Sequence, residues 1–158
     1  MAETLRPFGL LTLSLIEELI NKNCYAPFEF IVKAQKARKI KNGGSICYVS
    51  SVIEKCGTLG SGGYGLAKSG FSSLARSIGL ELVKKKIRIN SVAYGYIDTK
   101  FIKNLGGSKD IINSIPMGIL TAEQASGVAV FLLSEASKYI TRQTILADSG
   151  VTLHQSLA

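Results

Sequence analysis

The sequence is poor in the residues that usually bind metals or form disulfides. It has one histidine, His154, and three cysteines, Cys24, Cys47 and Cys56, which show no paired spacing. A structural zinc site needs four closely spaced ligands, and a disulfide framework needs an even number of cysteines. We therefore expect neither a metal site nor a disulfide framework.

Long apolar runs are also missing. No stretch reaches the roughly 18 consecutive apolar residues of a membrane-spanning helix, and the charged residues Glu3 and Arg6 precede any apolar segment. The sequence therefore shows no secretory signal and no membrane anchor. We expect a cytoplasmic protein without membrane partners.

Acidic residues are scarce, with 11 Asp and Glu against 19 Lys and Arg, which gives a formal charge of +8. The densest basic run, Lys84 to Lys86 and then Arg88, lies where a helix is predicted to end, and cations there complement the helix dipole. Since charge runs are usually solvated, we expect no nucleic-acid partner. The positive excess would instead attract an anionic cofactor or substrate.

The 158 residues predict one domain, 1–158, organised around residues 43–68. A short run of β-branched and aromatic residues there predicts a strand that ends near Ser50 and Ser51. After several glycines, apolar residues recur every three or four positions from Tyr64 and predict a helix over 63–84. Tyr64 and Lys68 share one face of that helix.

The Tyr64 and Lys68 pair has a chemical consequence. An ammonium one helical turn from a phenol favours the phenolate, so we expect the pKa of Tyr64 to fall toward neutral pH. Such a tyrosine can exchange a proton with an alcohol or carbonyl oxygen. If Ser51 at the strand end reaches the same space, its hydroxyl can hold that oxygen.

The remaining segments predict an α/β layer with three parallel strands. Helices are expected over 12–24, with Ser14 and Glu17 as a capping box and Asn23 at the end, and from Pro27 to about residue 41. Strands are expected over 87–92 and 144–147, and Thr121 is expected to cap another helix. The region 97–117 lacks a sustained period.

The order of these motifs resembles a known family. Ser51, then Tyr64 thirteen residues later, then Lys68, is similar to the catalytic set of the classical short-chain dehydrogenase/reductase family, in particular its 3-oxoacyl-carrier-protein reductases. Three further segments match that family in order: Ile87 to Thr99, Pro116 to Ser134, and Tyr139 to Val151.

The resemblance implies the C-terminal part of a Rossmann-like, doubly wound parallel sheet. The family's N-terminal half, which carries the glycine loop for the cofactor pyrophosphate, has no counterpart here, so the chain is similar to a truncated member. Gly60-Ser-Gly-Gly-Tyr-Gly65 spells a dinucleotide fingerprint, but it begins too far beyond the strand end at Ser51. We interpret these glycines as the turn that presents Tyr64.

By resemblance, the chain is an oxidoreductase that interconverts a secondary alcohol and a ketone with NAD or NADP. The family assigns proton exchange to Tyr64, pKa control and ribose contact to Lys68, substrate orientation to Ser51, and a relay water to Asn23. Besides Tyr64 and Lys68, the positions matching the cofactor contacts are Gly95, Ile97 and Thr99.

The resemblance further implies a small-molecule carbonyl or alcohol substrate under a mobile loop at 97–117, and a homo-oligomer formed through helices 12–41 and 63–84. An alternative is a non-catalytic remnant that binds other subunits.

Tyr94, Arg142 and Ser149 replace residues for which the family usually has proline or glycine, and we expect Tyr94 to alter the nicotinamide pocket.

Overall fold

A computed structural model describes residues 5–99 and 112–152 of the chain. Its main sheet has three parallel strands in the order β1 (Ser45–Ser51), β2 (Arg88–Tyr94) and β5 (Thr144–Ala147). The register pairs Ser51 with Tyr94 and Tyr94 with Ala147, so the three strands end at one edge of the sheet. Two shorter strands, β3 (Ile97–Asp98) and β4 (Leu120–Thr121), form a separate parallel pair that the sequence did not predict.

In the part of the chain that the structure describes, four complete α-helices accompany the strands: α1 (Leu13–Ile20), α2 (Ala26–Lys36), α3 (Gly62–Leu82) and α4 (Ala122–Leu133). Short 3-10 turns cover Phe8–Leu10, Val52–Glu54, Val83–Lys85 and Glu135–Ser137. Thr121 caps α4 in a capping box with Gln124, as the sequence predicts for Thr121. Within 5–99 and 112–152, no helix combines the length and apolarity needed to cross a bilayer.

The two faces of the sheet carry separate hydrophobic clusters, because neighbouring residues of a strand point to opposite faces. Tyr48 and Ile89 pack with Phe71 of α3 on one face. Val92 and Tyr94 pack with Leu132 of α4 on the other. A parallel sheet covered by helices on both faces confirms the predicted α/β, Rossmann-like fold.

The first helix departs from the prediction. Thr12, not Ser14, is its N-cap, with the Thr12 side chain accepting from the Leu15 N–H at 3.3 Å. The chain also does not stop at Asn23 but continues through a π-helical turn, Asn21–Tyr25, into α2. Pro27 has no N–H to offer the Asn23 carbonyl one turn earlier, and the Tyr48 hydroxyl donates to that carbonyl at 2.8 Å instead. The Tyr48 hydroxyl from β1 therefore stabilises a π-helical turn at a point where the sequence pattern predicts the end of the helix.

Arg88 is not part of a solvated basic run. It begins β2 and is only 8% exposed. Its guanidinium donates to the carbonyls of Leu132 and Ser134 and to the hydroxyl of Ser137, each at 2.9 Å. The expected solvation of this residue was wrong, because the guanidinium bonds to carbonyls at the end of α4, which have no partner within that helix.

Two of the three unusual replacements occupy backbone positions that favour glycine. Arg142 and Ser149 have φ angles of 64° and 55°, in the left-handed region. Tyr94 is buried in the cluster beneath α4, and its hydroxyl donates to the Ala125 carbonyl. Tyr94 thus packs inside the fold, and its expected effect on a nicotinamide pocket stays a prediction. Most of the expected loop at 97–117 lies outside the described residues.

Candidate active site

The candidate site lies at the carboxyl edge of the main sheet. Ser51 is the last residue of β1, and α3 begins eleven residues later, after the 3-10 turn and a glycine-containing loop. Tyr64 and Lys68 lie in the first two turns of α3. In open parallel sheets, the crevice outside the carboxyl ends of the strands is where ligands bind.

The Ser51 hydroxyl lies close enough to the Tyr64 phenol to lower its pKa. The Ser51 oxygen also accepts the Ile53 N–H at 3.3 Å, which leaves the Ser51 hydroxyl proton available to donate. Tyr64 is half-buried. The two residues that the sequence predicts to share a site are therefore neighbours.

Lys68 lies beside the same phenol. Its Nζ is 5.6 Å from the centre of the Tyr64 ring and 5.0 Å from the centre of the Tyr48 ring. One of its protons is donated to the Val49 carbonyl, at 3.0 Å. The bond to β1 directs Lys68 toward the strand end, and so the structure brings Ser51, Tyr64 and Lys68 together.

The pKa of Tyr64 moves in the opposite direction from the one expected. Burial raises the pKa of Tyr64, and the nearby Ser51 hydroxyl lowers it by less. Burial also lowers the pKa of Lys68 to about 8, against an opposing effect of the Glu54 carboxylate. Helical spacing correctly predicted that Lys68 lies beside the Tyr64 ring, but the cost of desolvating the phenolate sets the direction of the Tyr64 pKa shift.

Asn23 occupies the π-helical turn on the far side of Tyr48. Its side-chain amide donates to the Leu19 carbonyl at 3.1 Å, and its own carbonyl accepts the Tyr48 hydroxyl. Tyr48 therefore lies between Asn23 and Lys68. The predicted water-holding role of Asn23 stays a prediction.

The three positions expected to meet the cofactor follow β2 at the same edge. Gly95 donates its N–H to the Ala147 carbonyl at 3.2 Å, and a Cβ on Gly95 would come within 2.9 Å of the Asp148 backbone. Only glycine allows so close an approach. Ile97 lies on β3, and Thr99 is half-buried next to residues that the structure does not describe. Their cofactor contacts stay predictions.

The glycines before Tyr64 pack against protein. A Cβ on Gly63 would come within 3.0 Å of the Leu19 side chain, and Gly60, with a φ of +78°, lies against the Arg6 backbone. Arg6 donates its N–H to the Gly60 carbonyl at 2.8 Å. These contacts agree with a turn that positions Tyr64 and disagree with a phosphate-binding loop.

The sequence reasoning missed Glu54, an acid in the turn between Ser51 and the loop. Its side chain is only 2% exposed, and it accepts hydrogen bonds from the hydroxyls of Ser50 and Ser72. The sequence carries a signal for Glu54: it is a lone acidic residue between the apolar Val52-Ile53 and the glycines, and serines that could donate to it follow Lys68 by one turn. No cluster of three or more potential metal ligands occurs in the described part of the chain.

Comparison with known proteins places this geometry in a family. The family described as enoyl-(acyl carrier protein) reductase matches residues 2–152. The chain is 33% identical over 132 residues to 3-oxoacyl-[acyl-carrier-protein] reductase FabG of Chlamydia pneumoniae, covering 82% of this chain and 50% of that protein. It is 34% identical over 139 residues to the reductase MabA of Mycobacterium avium, covering 85% and 54%. The chain thus spans about half the length of these curated relatives.

Solved structures share the fold. The angucycline C-6 ketoreductase LanV with bound NADP matches with a TM-score of 0.86 at 23% identity, over 95% of this chain and 59% of LanV. A putative short-chain alcohol dehydrogenase from Sinorhizobium meliloti matches with a TM-score of 0.80 at 30% identity, over 94% and 61%. Together, the family match over nearly the whole chain and the identities above 30% show that the chain belongs to the short-chain dehydrogenase/reductase family.

Proposed function

We propose that the chain catalyses the NAD- or NADP-dependent interconversion of a ketone and a secondary alcohol at Ser51, Tyr64 and Lys68. The observation that carries the proposal is the position of Lys68, whose ammonium lies 5.6 Å from the centre of the Tyr64 ring and donates to the Val49 carbonyl, two residues before Ser51 at the end of β1. The relatives named as reductases, and the NADP bound to LanV, support it.

The donors at the site suit a nicotinamide dinucleotide. Lys68 gives one N–H to Val49, and an ammonium has two more, which can bond to the vicinal hydroxyls of a ribose. Gly95, Ile97 and Thr99 follow β2 at the same edge, where they would meet the nicotinamide end. When bound, the dinucleotide supplies or accepts the hydride.

The chain's own residues handle the proton. Ser51 donates a hydrogen bond that orients the carbonyl oxygen of the substrate. Burial keeps the Tyr64 phenol protonated at neutral pH, so that it acts as the general acid toward that oxygen in the reductive direction. The Lys68 ammonium then stabilises the phenolate that remains. The Asn23 carbonyl has a second lone pair beyond the one that Tyr48 uses, and would hold a water that resupplies the proton.

Replacing the proposed acid tests the function directly. We expect Tyr64→Phe to lower the turnover of a ketone panel with NADPH or NADH by about 100-fold or more, as loss of a general acid does. Lys68→Ala should also lose activity, whereas Tyr139→Phe, at a tyrosine that is 92% exposed, should not.

Cofactor binding provides the second measurement. Nicotinamide fluorescence should show that the parent chain and Tyr64→Phe both bind NADPH or NADH. Unchanged turnover in Tyr64→Phe would contradict the proposed acid. Failure of the parent chain to bind either cofactor would contradict its activity as an isolated chain.

We also propose that two copies associate through α1, α2 and α3. Leu13, Phe30, Leu66 and Leu80 on these helices are each more than half exposed. Large apolar side chains left exposed on these helices would be buried in such an interface.

A further inference from the structure

Glu54 is a charged side chain that the proposed reaction does not use, although it lies inside the site's framework. It follows Ser51 by three residues, and its side chain is 2% exposed. Burying a carboxylate is unfavourable unless it is hydrogen-bonded and balanced by a positive charge. The hydrogen-bond partners and charged neighbours of Glu54 therefore indicate its role.

The hydrogen bonds of Glu54 connect the two elements that carry the catalytic residues. Ser50, next to Ser51 on β1, donates its hydroxyl to Oε2, and Ser72, one turn after Lys68 on α3, donates to the same oxygen. The Ser69 hydroxyl donates to the Glu54 backbone carbonyl at 3.2 Å. Both the side chain and the backbone of Glu54 thus join the end of β1 to α3.

Titratable groups from three elements surround Lys68. Tyr48 faces it from β1, Tyr64 from its own helix, and the Glu54 carboxylate acts on it from the 3-10 turn. Cys24 of the π-helical turn lies near Tyr48 and helps to raise the pKa of the Tyr48 phenol. Lys55 Nζ is 3.9 Å from Glu54 Oε1, but the Lys55 side chain is 48% exposed and is therefore screened by solvent. Among these groups, only Glu54 supplies Lys68 with a buried negative charge.

We propose that Glu54 is a positioning residue that clamps the Ser51 end of β1 to the Tyr64 and Lys68 helix and provides the counter-charge for the Lys68 ammonium. The inference deepens the proposed function and rests on it for its catalytic meaning. It predicts an electrostatic effect on Lys68 that can be measured without cofactor or turnover.

The test is an NMR titration of the Lys68 side chain in the full chain labelled with ¹³C-lysine, with the resonance assigned by its loss in Lys68→Met. In the parent chain, the midpoint should lie near the Lys68 pKa of about 8. Glu54→Gln keeps the size and an oxygen acceptor but removes the charge, and should lower the midpoint by about one pH unit. Glu81→Gln, the same change on the exposed side of α3, should leave it unchanged.

A folded Glu54→Gln protein with an unchanged Lys68 midpoint would overturn the proposal. If Glu54→Gln does not fold, the double variant Glu54→Gln/Lys68→Met decides, because it leaves no ammonium without a counter-charge. Glutamine keeps an oxygen acceptor for the Ser50 and Ser72 hydroxyls, so the clamp remains possible in the double variant. Folding of the double variant therefore supports the counter-charge role of Glu54, and its failure to fold contradicts that role. Turnover by the parent chain together with an unchanged Lys68 midpoint in Glu54→Gln would exclude the counter-charge role of Glu54 and leave the proposed function standing.

Discussion

At the scale of single residues, the same burial acts in opposite directions on the two groups at the centre of the site. It raises the pKa of Tyr64 and lowers the pKa of Lys68, because each shift favours the uncharged form. Ser51 and Glu54 partly oppose these shifts by stabilising the charged forms. The site therefore holds a protonated phenol beside an amine that titrates close to neutral pH.

The shift at Lys68 predicts how stability depends on pH. The folded-state pKa of about 8 lies below the ordinary value of 10.5. Between these values the unfolded chain binds more protons, so the free energy of unfolding should rise with pH over that window. We expect a contribution of roughly 1 kcal/mol between pH 8 and 10, since solvent partly screens a half-buried ammonium.

Urea unfolding at a series of pH values measures this contribution as the difference between the parent chain and Lys68→Met. Titration of other groups is common to both proteins and largely cancels. Lys84→Met, at an exposed lysine, is the matched control and should keep the parent's slope. Parallel profiles of the parent and Lys68→Met from pH 8 to 10 would contradict the prediction.

At the scale of elements, Arg88 connects the start of β2 to the end of α4. The last carbonyls of a helix have no partner within it. The Arg88 guanidinium donates hydrogen bonds to the carbonyls of Leu132 and Ser134 and to the hydroxyl of Ser137. Ser137 in turn donates to the Leu132 carbonyl at 3.0 Å. One buried side chain thus holds α4 against the sheet.

We predict that Arg88→Met lowers the free energy of unfolding by about 3 kcal/mol, because it removes the buried hydrogen bonds from the guanidinium to Leu132, Ser134 and Ser137. The midpoint of urea unfolding measures the effect. Arg76→Met should change it little, because the Arg76 side chain is exposed and only its backbone carbonyl takes part in a bond, from Arg142 Nε. Equal midpoints for the two variants would show that Arg88 does not hold α4.

Local patterns in the sequence predict the elements that depend on local chemistry. The strand at Thr144–Ala147, the cap at Thr121 and the pairing of Tyr64 with Lys68 follow from alternation, side-chain capping and helical spacing. The π-helical turn, the burial of Arg88 and the role of Glu54 do not, because each depends on a partner distant in sequence: Tyr48, the end of α4, or Ser72.

At the scale of the whole molecule, exposed apolar surface and net charge act against each other. The helices α1, α2 and α3 expose large apolar side chains, which favours association. The formal charge of +8 makes two copies repel each other. Salt shortens the range of that repulsion to about 8 Å at 0.15 M ionic strength but leaves close apolar contacts intact. Self-association should therefore strengthen as salt is added.

Leu80→Lys tests the proposed surface, because it adds a charge at a leucine on α3 that is 56% exposed. In a symmetric dimer the two new charges would be desolvated at the interface, so we expect dimerisation to weaken by about tenfold or more. Leu133→Lys is the control, since it adds the same charge at a leucine on α4 that is 50% exposed and lies outside the surface. Sedimentation equilibrium at 0.15 M salt measures both. Because each variant raises the net charge equally, similar weakening in both would indicate general repulsion and contradict pairing through α3.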